Sequence, residues 1–208
     1  QVILTPRARL FVTVPLEGRS DYADEFDAHL REIGSTQDIT DQDYILANDV
    51  TPVYSGGGTS GTLVDSVDVN SDAFGSFTLT QIPPGIYELT VKAPGYVTGR
   101  SDTLTLFNGL TLSIEPTFGS DALGNLSPAT ALGELRGGDA TGDNQVDIGD
   151  ANRIFALWNL TPADGGFERD ADINDDGVIT TIDLGFLPPN LGNDGFRAPP
   201  VLRSVREG

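Results

Sequence analysis

The chain has 208 residues and a formal charge of −19 at pH 7, from 31 acidic and 12 basic residues. Nucleic-acid binding relies on clustered Lys and Arg, and the sequence contains one lysine, Lys92, so no nucleic-acid partner is expected and cations are the natural counterpart. Cysteine is absent, which excludes disulfides and thiolate metal sites, and no apolar run of about 18 residues predicts membrane insertion.

The first 60 residues predict one strand followed by a long polar excursion. Residues 8–16, ARLFVTVPL, alternate loosely and predict a strand. Within residues 20–34, a Ser-Asp start, near-helical spacing of large side chains and a final glycine predict a short helix. The side chains at this spacing are Tyr22, Phe26, His29 and Leu30. Polar residues and turn formers dominate the rest, so we expect an insertion at about residues 20–60.

Residues 61–116 carry the clearest β pattern of the chain. Short runs rich in Thr, Val and aromatic residues, such as GSFTLTQI and GIYELTVKA, are separated by turn formers, which predicts a small antiparallel sandwich. Asn108-Gly109 between two apolar runs predicts a hairpin. Residues 117–137 lose the pattern and indicate a linker or a last edge strand.

Part of this region resembles a known family. The stretch SDAFGSFTLTQIPPGIYELTVKAPGY contains a Gly-x-Phe strand, a Pro-Pro-Gly-x-Tyr turn and an Ala-Pro-Gly-Tyr turn. These features resemble the carboxypeptidase regulatory-like domain, a prealbumin-type sandwich, over about residues 61–116. The resemblance implies a non-catalytic module.

Two acidic stretches repeat along the C-terminal part, GDATGDNQVDIGD at 138–150 and ADINDDGVITTID at 171–183. Their oxygen-bearing residues fall at positions 1, 3, 5, 7, 9 and 12 of a calcium loop of EF-hand type, where position 7 acts through its backbone carbonyl. The first set of predicted ligands is Asp139, Thr141, Asp143, Gln145, Asp147 and Asp150. The second set is Asp172, Asn174, Asp176, Val178, Thr180 and Asp183. The spacing therefore predicts two Ca²⁺ ions.

Positions 6 and 8 of each loop fit the same interpretation. Position 6 makes a sharp turn, and Asn144 and Gly177 both tolerate left-handed geometry. Position 8 is apolar in both loops, as Val146 and Ile179, and we expect these side chains to turn inward and pair the loops.

The flanks of the loops predict exit helices without entry helices. Ala151, Ile154, Phe155 and Trp158 recur at helical spacing after the first loop, whereas GELRGG before it leaves no room for a helix. After the second loop, Pro188-Pro189 is expected to cut the exit helix to about two turns. A loop with an exit helix, repeated once over about 55 residues, resembles the dockerin module.

The dockerin resemblance implies calcium-dependent folding and docking onto a cohesin-type protein module in an extracellular, cellulosome-like setting. The contact positions that it implies are loop sites 10 and 11 and the first exit helix. The expected partner-binding residues are Ile148, Gly149, Phe155, Ala156, Thr181 and Ile182. We therefore expect a mainly β chain with a sandwich at residues 1–127 and a small α-helical duplicated calcium module at 128–208.

Two alternatives stay open at this stage. Tyr54, Tyr87, Tyr96 and Phe107 would form a sugar-binding platform if several shared an exposed face, which would make the sandwich a carbohydrate-binding module. In the other alternative, the sandwich and the calcium module pack against each other and serve as a structural end-piece without a cohesin. An enzyme is not expected, because the single histidine, His29, has no catalytic partner pattern.

Overall fold

The computed structural model describes residues 7–21, 24–32, 46–47, 54–55, 62–63, 67–70, 74–114, 119–120, 126–127 and 133–195. The strands are β1 Ala8–Thr13, β2 Glu25–Glu32, β3 Leu46–Ala47, β4 Tyr54–Ser55, β5 Thr62–Leu63, β6 Val67–Asn70, β7 Ser76–Ile82, β8 Gly85–Lys92, β9 Gly95–Tyr96, β10 Gly99–Arg100, β11 Leu104–Leu106, β12 Thr111–Ile114, β13 Gly119–Ser120, β14 Leu126–Ser127 and β15 Gly137–Asp139. The helices are α1 Ile148–Ala156, α2 Thr181–Leu184 and α3 Leu187–Asn190, with a 3₁₀ turn at Arg169–Ala171.

The N-terminal part forms two main sheets, which confirms the predicted sandwich. One sheet has the order β14-β13-β12-β1-β7-β3, and the other has the order β10-β8-β2-β6 with β11 also pairing with β8. β1 runs parallel to β12 and antiparallel to β7, so the first sheet is mixed rather than purely antiparallel. Strands β1 to β14 are called the sandwich below.

The core lies between these sheets. In β1, Leu10 and Val12 are fully buried while Phe11 between them is exposed, as the two-residue period of a strand requires. The rings of Phe26 in β2 and Phe77 in β7 lie 5.8 Å apart and join the sheets. Each large apolar side chain buried in this way stabilises the fold by about 1.5–3 kcal/mol.

The helix predicted within residues 20–34 is wrong, because residues 25–32 form β2. Phe26, Ala28 and Leu30 are fully buried and alternate with partly exposed residues, so the burial has a period of two. β2 pairs with β6 on one side and β8 on the other, which satisfies its backbone groups. This part of the expected insertion at 20–60 therefore belongs to the sheet, whereas Tyr22 lies outside the described residues.

The hairpin predicted at Asn108-Gly109 is also wrong. Gly109 has a φ of 75° in a turn, as expected, but β11 pairs with β8 while β12 pairs with β1. The turn therefore carries the chain from one sheet to the other, and Leu106 and Leu112 on either side of it are both buried in the core.

Residues 119–120 and 126–127 extend the first sheet, with β14 at its edge, whereas β15 pairs with β9 instead. The second exit helix is split into α2, which ends at Leu184 with Gly185 as its C-cap, and α3. Pro188 and Pro189 do not end a helix as predicted; they lie in the first turn of α3. Backbone N–H groups in a first turn have no acceptor within the helix, so proline costs no hydrogen bond there. None of the helices in the described ranges is long and apolar enough to span a membrane.

Candidate metal centre

The two acidic loops have the same backbone shape. Position 4 has a positive φ in both, 74° at Gly142 and 56° at Asp175. Position 6 does too, with 69° at Asn144 and 85° at Gly177. Asn and Asp tolerate this left-handed region better than other residues with a Cβ. The turn expected at position 6 is therefore present in each loop.

The carboxylates at positions 1 and 12 close each loop through backbone N–H groups. Position 1 accepts from position 6, with 3.0 Å from Asn144 N to Asp139 Oδ2 and 3.0 Å from Gly177 N to Asp172 Oδ2. Position 12 accepts from positions 3 and 9 through its two oxygens. Equivalent hydrogen bonds thus recur in two stretches of different sequence.

Position 9 begins the exit helix in each repeat. Asp147 caps α1 by accepting from Gly149 N at 2.6 Å, and Thr180 caps α2 by accepting from Ile182 N at 3.1 Å. The position-12 carboxylate completes a capping box in both helices. The helix start and the loop closure therefore share one carboxylate.

The predicted ligands at positions 3 and 5 make further hydrogen bonds within each loop. Thr141 at position 3 donates its hydroxyl to Asp150 Oδ1 at 3.0 Å, and Asn174 donates its amide to Asp176 Oδ2 at 2.8 Å. At position 5, Asp143 and Asp176 accept from the backbone N–H of position 7, each at 3.0 Å. The structure therefore gathers each predicted set into one loop.

Four carboxylates of these sets are buried, which is costly for negative charge. Asp139, Asp150 and Asp183 are fully buried and Asp172 is 4% exposed. Burial raises the pKa of Asp139 and of Asp172 above the ordinary value. Asp139 Oδ1 is buried with no hydrogen-bond partner among the described residues. A hard cation that takes oxygen ligands would satisfy this oxygen and offset the charge, so the residues fit calcium.

No group of three or more His, Cys, Asp or Glu side chains in the described ranges forms a ready metal cluster. Backbone N–H groups hold the position-1 and position-12 carboxylates, and their like charges oppose a closer approach. Calcium loops also take several ligands from neutral oxygens, such as those of Thr141 and Asn174. The donor set is therefore that of a calcium loop rather than of a transition-metal cluster.

Position 8 is buried as expected but pairs differently. Val146 and Ile179 are fully buried, yet each exchanges backbone hydrogen bonds with the segment that follows the other loop's exit helix. Val146 pairs with residues 192–193, and Ile179 pairs with residues 159–160, through N–O distances of 2.8–3.1 Å. Position 8 of each loop thus pairs with the segment that follows the other loop's exit helix, and not with position 8 of the other loop. This crosswise pairing joins the two loops.

The sandwich contacts both loops through residue pairs that the sequence pattern did not predict. Lys92 Nζ donates to Asp139 Oδ2 at 2.5 Å, and Thr98 N donates to Asn144 Oδ1 at 2.7 Å, both in the first loop. The Tyr96 hydroxyl lies 3.0 Å from the carbonyl oxygen of Ile173 in the second loop. Each pair is separated by more than 40 residues in sequence, so no local pattern could have predicted it.

Ion pairs add a further link to the second loop. Arg19 donates to Asp24 at 2.7 Å and to Asp175 at 3.0 Å, and Arg169 contacts Asp24 at 2.7 Å. Asp24 is only 6% exposed, and the two guanidinium groups compensate its buried charge. The loops and the sandwich are therefore held by polar as well as strand contacts.

The expected partner-binding residues lie mostly at the surface. Ile148, Phe155 and Ile182 are 72%, 57% and 56% exposed. Ala156 and Thr181 are also exposed, and Gly149 is half-buried. The Phe155 ring stacks on Trp158 with centroids 5.8 Å apart. Leu191 is also apolar and is 65% exposed, and the sequence reasoning did not name it.

Comparison with known proteins agrees with this geometry. Residues 137–191 match the dockerin type I domain family. Members of that family bind calcium, as the donor set predicts. No curated protein shows significant similarity to the chain.

Two solved structures are similar over nearly the whole chain. One is a C-terminal interface mutant of a type II cohesin–X–dockerin complex from Acetivibrio cellulolyticus, with a TM-score of 0.51 and 14% identity over 90% of this chain and 97% of that one. The other is an N-terminal interface mutant of the type II complex from the same organism, with a TM-score of 0.50 and 14% identity over 91% and 97%. At this identity the similarity concerns the fold alone.

Proposed function

We propose that this chain is a non-catalytic docking module that binds a cohesin-type protein module in a calcium-dependent manner. The observation that carries the proposal is the duplicated loop geometry within residues 137–191, the stretch that matches the dockerin type I family. The similar solved structures are cohesin–X–dockerin complexes, which supports the same partner class.

Calcium would act by holding up the docking surface. We propose two Ca²⁺ ions, one in each loop, bound by the two predicted ligand sets. The buried position-12 carboxylates also complete the capping boxes of the exit helices, so bound ions would fix α1 and α2 in place. At free calcium about 100 times the dissociation constant, each site would contribute roughly 2.7 kcal/mol to folding.

The docking face would be apolar at its centre. Ile148, Phe155 and Ile182 expose apolar surface next to the loops, as interface anchors commonly do. Gly149, Ala156 and Thr181 would contribute close backbone approach and small contacts at the same positions.

The sandwich would serve as an accessory to the docking module. We propose residues 1–127 as a carboxypeptidase regulatory-like sandwich and residues 128–208 as the calcium module, in intramolecular contact. The hydrogen bonds from Lys92, Tyr96 and Thr98 to the loops support this arrangement. The setting would be extracellular, with no nucleic-acid partner and no membrane insertion.

The carbohydrate-binding alternative is not favoured. Tyr87 and Tyr96, two of the four rings considered for a sugar platform, are 2% and 0% exposed in the core. Sugar platforms need exposed rings, and of the four rings Phe107 is exposed, at 53%.

Binding to cohesin modules of types I and II, measured by calorimetry with calcium and with chelator, tests the proposal. Both types are needed because the family match is type I and the similar structures are type II complexes. Phe155→Ala should weaken binding at least about tenfold if Phe155 is an anchor. Phe107→Ala is the matched control, since Phe107 is similarly exposed but lies on the sandwich.

Equal effects of the two variants would contradict the assigned face, and no binding to either cohesin type in calcium would overturn the proposal. A calcium titration of chelator-treated protein, followed by Trp158 fluorescence, should find two sites. We expect the emission to shift, because Trp158 is half-buried beside α1.

A further inference from the structure

A positively charged side chain of the sandwich, Lys92, contacts the first loop. Lys92 lies at the end of β8, and its ammonium group donates to Tyr96 O at 2.9 Å and to Asp139 Oδ2 at 2.5 Å. Asp139 is fully buried and the Lys92 side chain is 25% exposed, so little water screens the pair. Asp139 Oδ2 also accepts from Asn144 N, which leaves the buried Oδ1 without a partner among the described residues.

Among the described residues, no such cation contacts the first position of the second loop. Asp172 accepts from the backbone N–H groups of Asp176 and Gly177, at 3.2 and 3.0 Å. No ion pair to Asp172 occurs among the residues that the structure describes. The contact with Lys92 is therefore a difference between two loops whose position-1 carboxylates otherwise accept the same hydrogen bond from position 6.

The first ligand set carries one more negative charge than the second, and Lys92 contacts the first. The first set has carboxylates at positions 1, 5, 9 and 12, whereas Thr180 occupies position 9 of the second set and leaves three. With Lys92 included, the two ligand sets carry the same net charge; Asp175, at position 4 of the second loop, lies outside its ligand set and pairs with Arg19. The lysine thus offsets the additional carboxylate, Asp147, of the first loop.

We propose that Lys92 is a built-in counter-charge of the first calcium loop, which holds the loop together without metal and lowers its calcium affinity. This inference rests on the calcium binding proposed above. An ammonium group repels a divalent ion at the same carboxylate, and the Asn144 N–H still orients Asp139 when Lys92 is removed. Calcium would take over the charge of Asp139 and release the ammonium group.

The test is Lys92→Met, which keeps the length of the side chain and removes its charge. Calcium titrations followed by amide NMR read the loops separately, through Asn144 for the first and Gly177 for the second. We expect affinity at the first loop to rise about tenfold and affinity at the second to stay unchanged. The melting temperature in chelator should fall, because the Asp139 charge loses its partner.

Two control variants separate this effect from general charge. Lys92→Arg retains the charge and should keep the wild-type affinity. Arg136→Met removes a half-exposed cation near the same loop that pairs with Glu17 and Glu134, and it should change neither site. An equal rise in Arg136→Met, or an unchanged or lower affinity of the first loop in Lys92→Met, would overturn the inference.

A measurement on the unmodified protein covers the case in which the variant does not fold. Lys92 is the single lysine, so its acylation by an amine reagent can be followed by mass spectrometry. Labelling should become severalfold faster in calcium than in chelator, and equal rates would refute the release of the ammonium group. If neither loop responds to calcium, the proposed function fails as well; if Gly177 responds and only the Lys92 effects are missing, this inference alone fails.

Discussion

Asp150→Asn tests whether one carboxylate both closes the first loop and begins its helix. Asp150 is fully buried, and its Oδ1 accepts from Thr141 N and the Thr141 hydroxyl, each at 3.0 Å. Its Oδ2 accepts from Asp147 N at 2.7 Å. Asparagine keeps one acceptor oxygen but turns an amide donor toward one of these N–H groups.

The expected cost follows from these contacts. Losing a hydrogen bond to a charged group costs about 1.5–3 kcal/mol, and removing the negative charge from the first turn of α1 costs about 0.3–1 kcal/mol. The free energy of unfolding in chelator should therefore fall by about 2–4 kcal/mol. At free calcium about 100 times the dissociation constant, loss of the site should lower the free energy of unfolding by roughly 2.7 kcal/mol more.

Urea unfolding followed by Trp158 fluorescence, with chelator and with calcium, measures both numbers. Asp164→Asn is the matched control: Asp164 also accepts from a backbone N–H and a hydroxyl, those of Thr161, but it lies outside the loops and is exposed. It should not alter the calcium response. A calcium-induced stabilisation of Asp150→Asn equal to that of the wild type would refute the assignment of Asp150 as a ligand.

Two further predictions concern the second loop and its junction with the sandwich. Burial raises the pKa of Asp172 above its usual value near 3.8, so in chelator the stability that this group contributes should be lost as the pH rises from about 4 through the raised value. Melting curves of wild type and Asp172→Asn should diverge in that direction, and no divergence would contradict the sign. Gly95→Ala should destabilise the protein more than Gly166→Ala in urea unfolding. Both glycines have positive φ, which costs alanine about 1–2 kcal/mol, but only at Gly95 would the Cβ meet a backbone oxygen, that of Asp170 at 2.7 Å.

The sequence was informative where the chemistry is local. The turns at Asn144 and Gly177 follow from spacing within twelve residues, so the pattern was sufficient for the backbone geometry of the loops. Strand β2 was mistaken for a helix because Phe26 and Leu30 fit both periods, and only pairing with β6 and β8 decides between them.

Contacts between distant segments could not be predicted. The hydrogen bond from Lys92 to Asp139 depends on how β9 pairs with β15, and one sequence does not encode that pairing as a local signal.

The crosswise joining of the loops sets an order in which the calcium module can assemble. The segment that closes the second loop precedes it by about 20 residues, whereas the first loop is closed by residues 192–193, about 50 residues later. By chain entropy the longer closure costs about 0.8 kcal/mol more. On the ribosome the second loop therefore has the segment that closes it as soon as it emerges, and the first loop, although made earlier, is completed last. Asn193 lies beyond the family match that ends at residue 191, so a fragment cut there would lack the residue whose carbonyl bonds Val146.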